Sequence, residues 1–123
     1  MNKIRQTIRS ISGHNNQMCY IELQYAVQIV LERLPEYPQM KEIQREVIRR
    51  TGKKATPDAV SKAISRAARD IWDYGDRSQL EQIFHRPLWE QPSPKSMVFT
   101  LAEYLWMHGE QNETPLPSQS FVS

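Results

Sequence analysis

Apolar residues recur along this chain at helical rather than strand spacing. Ile4, Ile8 and Ile11 fall on one helical face, and Gly13 with Asn15 and Asn16 stops that first short helix. Between residues 20 and 34 the apolar positions Ile21, Leu23, Ala26, Val27, Val30, Leu31 and Leu34 form a broad core-facing stripe, which Pro35 and Pro38 end. A third helix is predicted over about 39–51, with Ile43, Val47 and Ile48 inward and Gly52 just past its end. Thr56-Pro57 is a start signal, a good N-cap followed by proline at the first helical position. The helix it opens runs to about Tyr74, with Val60, Ala63, Ile64, Ala67, Ile71 and Trp72 at core spacing, and Gly75 closes it. A short apolar segment at 78–84 carries Leu80, Ile83 and Phe84. An irregular link with Pro87, Pro92 and Pro94 leads to a last helix over about 96–108. No strand pattern, internal repeat or heptad array is present. The expected fold is all-α, a compact bundle of about six helices over residues 1–108. Residues 109–123, polar and holding Pro115 and Pro117, are expected to be a disordered tail.

Composition narrows the class. The chain has 123 residues, 24% charged and 39% hydrophobic, which suits one soluble domain with a real core. No apolar run approaches the roughly 18 residues of a membrane span, and the first twenty residues lack the apolar middle of a signal peptide. One cysteine, Cys19, permits no internal disulfide and no multi-thiolate metal site, so a reducing cytoplasm is the expected compartment. Four glycines argue against a Gly-rich phosphate cradle.

The net charge of +2 hides an uneven distribution. Residues 41–69 hold nine bases against Glu42, Glu46 and Asp58, a local +6, whereas residues 70–94 are −3 and residues 95–123 are −2. A concentrated basic stretch is the footprint of a phosphate-backbone binder. Its layout, two helices joined by a short turn with the second capped and basic, describes a helix-turn-helix. In that motif the second helix reads base edges in the major groove. Its outward positions share a face and give the candidate base readers Ser61, Lys62, Ser65, Arg66 and Arg69. Arginine can make two hydrogen bonds to guanine, lysine one or two, and serine suits base or phosphate. Arg45, Arg49 and Arg50 on the first helix, Lys53 and Lys54 in the turn, and Thr56 at the cap are candidate phosphate contacts. Asp70, Asp73 and Asp76 come only where the helix would leave the groove and read as a solvated acidic face.

The run from Tyr20 through Val27 to Val30 resembles the second helix of the DNA-binding effector domain of the sporulation-initiation response regulators, the stage-zero sporulation protein A family. Ala63-Ile64, Ala67-Ala68, Ile71-Trp72 and Gly75 resemble the close of that family's recognition helix. Leu80, Ile83 and Phe84 match its next short helix, Pro94 with Val98-Phe99 its last, and the helix from Ile4 to Ile11 registers without a gap. The resemblance covers roughly residues 4–107 and rests on spacing and apolar pattern. It implies a six-helix domain with a central helix-turn-helix and binding to duplex DNA as a transcription factor, often as two copies in tandem. It also implies a spore-forming bacterium or one of its mobile elements as the source. Carried over by position, the base-reading places fall on Ala59, Ser61, Lys62, Ser65 and Arg66. The family tends to have arginine or another strongly polar group where this chain has Ala59, Ser61 and Ser65, so its target sequence does not transfer. The turn is about two residues longer here, at Lys53-Lys54. The family's phosphoacceptor receiver domain is expected to be absent from a chain of this length, leaving control to protein level, a partner or a ligand.

The remaining chemistry-bearing residues suggest no catalysis. His14, His85 and His108 lie far apart without companion ligands, so no metal or other cofactor is expected. Cys19 reads as a small buried hydrophobe, and Trp89 and Trp106 as core or interface anchors. Tyr104, Trp106 and Met107 are candidates for a homodimer contact. The expected function is sequence-specific binding of double-stranded DNA in transcription regulation, without enzymatic activity or membrane attachment. RNA polymerase or a related regulator would be the protein partner. The second expectation, favoured by Ala59, Ser61 and Ser65, is a protein-interaction module that pairs with a related regulator without reading bases.

Overall fold

The structure is a computed structural model and describes residues 2–13, 19–52 and 54–108. It contains α1 (Asn2–Ile11), α2 (Cys19–Arg33), α3 (Met40–Thr51), α4 (Pro57–Tyr74), α5 (Arg77–Phe84) and α6 (Pro94–His108), and among the described residues no strand. The expected all-α bundle is therefore what forms. The predicted tail at 109–123 lies outside the described residues.

Local chemistry sets the helix ends. Gly52 follows α3 in the left-handed region, φ 69°, and its N–H donates to the Ile48 carbonyl. Thr56 caps α4 by accepting from the Ala59 N–H at 3.1 Å, and Pro57 opens the helix where a missing N–H costs nothing. Asp76 caps α5, accepting from the Gln79 N–H at 3.0 Å. Pro94 starts α6 two residues before the predicted start, because Ser93 supplies the cap: its hydroxyl accepts from the Ser96 N–H at 3.1 Å.

α2 is the axis of the bundle and packs against α6, α4, α3 and α1. Its apolar residues spread around most of its circumference, and Leu23, Ala26, Val27, Ile29 and Val30 are buried. A helix apolar nearly all round must be enclosed. α6 is built the same way, with Met97, Val98, Leu101 and Ala102 fully covered. α1 carries only the stripe Ile4, Ile8 and Ile11, and seals one side. Behind it the chain crosses the end of α4 at a distance only glycine allows. A Cβ on Gly75 would collide with the Ile11 carbonyl, and one on Gly13 would stand 2.8–2.9 Å from the Tyr74 carbonyl atoms.

Two polar ties hold the helices in register. The Tyr20 hydroxyl donates to Asp70 Oδ2 at 2.6 Å inside the core. Asp70 is only 7% exposed, which corrects the reading of Asp70, Asp73 and Asp76 as one solvated face. Asp73 instead stands 3.8 Å from Arg69, and Asp76 is the α5 cap. Burial, then the hydrogen bond to Asp70, pushes the Tyr20 phenol well above its ordinary value. The second tie joins α3 to α2: Arg50 grips Glu32 through both terminal nitrogens (3.0 and 2.6 Å) and reaches Glu46 at 2.8 Å. Cys19 is buried as expected. Trp89 is not a core anchor, since it is 88% exposed.

Candidate nucleic-acid interface

α4 divides into two faces. Val60, Ala63, Ile64, Ala67, Ala68, Asp70 and Ile71 are buried, and the two inward pairs ending in Ala67 and Ala68 bring the helix close to α2 and α3. Burying that face turns the opposite one outward. Lys62, Arg66 and Arg69 are exposed, and Ser61 and Ser65 flank them half-buried. All five candidate base readers thus share one accessible surface.

That surface is partly self-neutralised. Lys62 Nζ lies 3.3 Å from Asp58 Oδ2, and Arg69 pairs loosely with Asp73, both one helical turn away and open to solvent. Such exposed pairs are worth little and are readily exchanged for another anion. Arg66 has no ion-pair partner among the described residues. It lies near enough to α2's N-terminal end to act on the Cys19 thiol, whose pKa burial and Asp70 raise and Arg66 slightly lowers.

The candidate phosphate contacts divide. Arg45 and Lys54 are exposed. Thr56 accepts from the Ala59 N–H, which leaves its own hydroxyl proton to donate elsewhere. Arg49 is exposed and pairs with Glu46 one turn back, with its Nε 3.1 Å from Oε1. Arg50 differs from the expectation: its side chain is only 27% exposed and its donors are committed to Glu32 and Glu46. It is a strut between α2 and α3. Lys53 lies outside the described residues.

One neighbour of this surface escaped the sequence reading. Gln91, from the link between α5 and α6, borders a depression of about 340 Å³ whose other walls are Ser65, Arg66 and Arg69. The only sequence signal for it was a proline-bracketed link holding a lone tryptophan. Among the described residues no helix is long and apolar enough to cross a membrane, and no group of three or more His, Cys, Asp or Glu is poised to hold a metal. No known family model matches this chain, and no curated protein matches it either.

Proposed function

We propose that this chain is a sequence-specific binder of double-stranded DNA that regulates transcription in the cytoplasm. In this reading α3 and α4 are a helix-turn-helix of the sporulation-regulator effector type. The observation that carries it is the exposed row Lys62, Arg66 and Arg69 on a capped helix whose other face is fully committed to the core. A helix so mounted can enter a major groove without rearrangement. Lys62 and Arg66 read bases, with Ser61, Ser65 and Arg69 supporting, and Arg45, Arg49, Lys54 and Thr56 hold phosphates. Asp58, beside Lys62 in the first turn, can accept from a cytosine amino group.

Selection of bound sequences from a random duplex pool tests this directly. A defined consensus, bound far more tightly than random duplex, is the expected outcome. Retention that is weak, salt-labile and equal for all sequences overturns it. A second reading has one observation in its favour: Asp58 and Asp73 draw down the positive charge of the same face. It makes the chain a module that pairs with a related regulator. That reading gains only if no duplex is enriched while a complex with such a regulator forms.

A further inference from the structure

The link between α5 and α6 is anchored at both ends. After the α5 cap at His85, the Arg86 N–H donates to the Glu81 carbonyl at 3.3 Å. The Leu88 N–H donates to the Glu81 carboxylate at 2.9 Å, and the Leu88 side chain is buried. At the far end Pro92 is buried and Ser93 caps α6. Between these anchors Trp89, Glu90 and Gln91 have nowhere to go but outward, and all three are exposed. A tryptophan left almost wholly in water on a chain segment tied down on both sides costs hydrophobic free energy for no gain to the fold.

The tip adjoins the α4 face. Gln91 borders the depression formed with Ser65, Arg66 and Arg69, and also a neighbouring one of about 330 Å³ that runs past Trp89 to Arg86. Gln91 thus stands between two depressions, one bordered by Arg66 and Arg69 and the other by Arg86 and Glu90. Arg66, Arg69 and Arg86 against Glu90 and the Asp73 that pairs loosely with Arg69 leave the tip's surroundings net positive and favour an anionic, extended occupant. We infer that the Trp89–Glu90–Gln91 tip is a second DNA contact, which grips the sugar-phosphate backbone beside the groove that α4 enters. The Gln91 amide and the Trp89 indole N–H donate to phosphate oxygens, the indole ring lies on the sugar, and Arg86 supplies charge. Glu90 opposes the phosphates and moderates the grip. This inference rests on the DNA-binding reading and extends it to an element outside the helix pair.

The test is tryptophan emission and binding affinity on the full chain, titrated with a random-sequence duplex. Duplex is expected to change the emission and shield it from acrylamide, and W89F is expected to lose most of that change. W89A should weaken binding about tenfold and Q91A about threefold, both with an unchanged helical spectrum. R86A should lower the salt dependence by about one counterion, and E90Q should tighten binding. Wild-type protein that binds duplex while W89A and Q91A bind as well, with no emission change, overturns the tip contact and leaves the α4 reading standing. Wild-type protein that binds no duplex overturns both. A W89A protein that loses self-association but not DNA affinity assigns the tip to a second copy of the chain and likewise overturns the proposal.

Discussion

Individual side chains on α4 divide sharply in what they do. Arg66 is exposed and, among the described residues, forms no ion pair that ties one helix to another. Arg66→Ala should therefore leave the melting temperature unchanged, cost about 1–3 kcal/mol of specific DNA affinity and relax one base position. Lys54→Ala should weaken selected and random duplexes alike and lower the salt slope by about one. Equal losses on both duplexes for Arg66→Ala would show that it is a phosphate contact. Asp70, one turn further on, does the opposite work. Tyr20→Phe removes the hydroxyl that bonds Asp70 in the core and should cost about 1–2 kcal/mol in urea unfolding, with DNA binding of the folded protein intact. The sequence exposed the first role and hid the second. Helical period alone turns Arg66 outward, whereas the partner of Asp70 is fifty residues away on another helix.

At the level of whole helices, the order and extent of α1 to α6 were legible because proline, glycine and a short polar residue mark almost every boundary. Thr56-Pro57 and Gly52 behave as their chemistry dictates. Tertiary partners decided the rest. Nothing within α3 distinguishes Arg50 from its other bases; the Glu32 of α2 that faces it does, and the exposure of Trp89 depends on Leu88 and Glu81 holding the chain on one side of it. Two substitutions probe the boundaries. Thr56→Ala should cost about 1 kcal/mol through loss of the cap. Gly75→Ala should cost at least about 2 kcal/mol, since its methyl would collide with the Ile11 carbonyl and neither backbone can easily retreat. Thermal melts of both variants check the order; a Gly75→Ala protein as stable as wild type would mean that α1 can lift from the end of α4.

For the molecule as a whole, the Glu32–Arg50–Glu46–Arg49 chain makes stability depend on acidity. Hydrogen bonds from Arg49 and Arg50 hold the Glu46 carboxyl down from its ordinary 4.5 to about 2, and the bond from Arg50 lowers Glu32 as well. A depressed folded-state value means the contribution is fully present above about pH 4.5 and is lost as the pH falls toward 2. Wild-type melting temperature should fall through that window, and Glu46→Gln should start lower but fall less steeply. Parallel curves for the two proteins would show that the network contributes nothing that titrates.

The two-sided construction of α4 carries a consequence for how such a protein can change. The residues that seat the helix face inward, while Lys62, Arg66 and Arg69 are exposed and Ser61 and Ser65 are half-buried beside them. The three exposed positions can be randomised together with little cost to the scaffold. If the proposed DNA binding holds, a lineage or an engineer could then redirect the chain to new operators by surface replacement alone, as one changes the bit of a tool and keeps the handle.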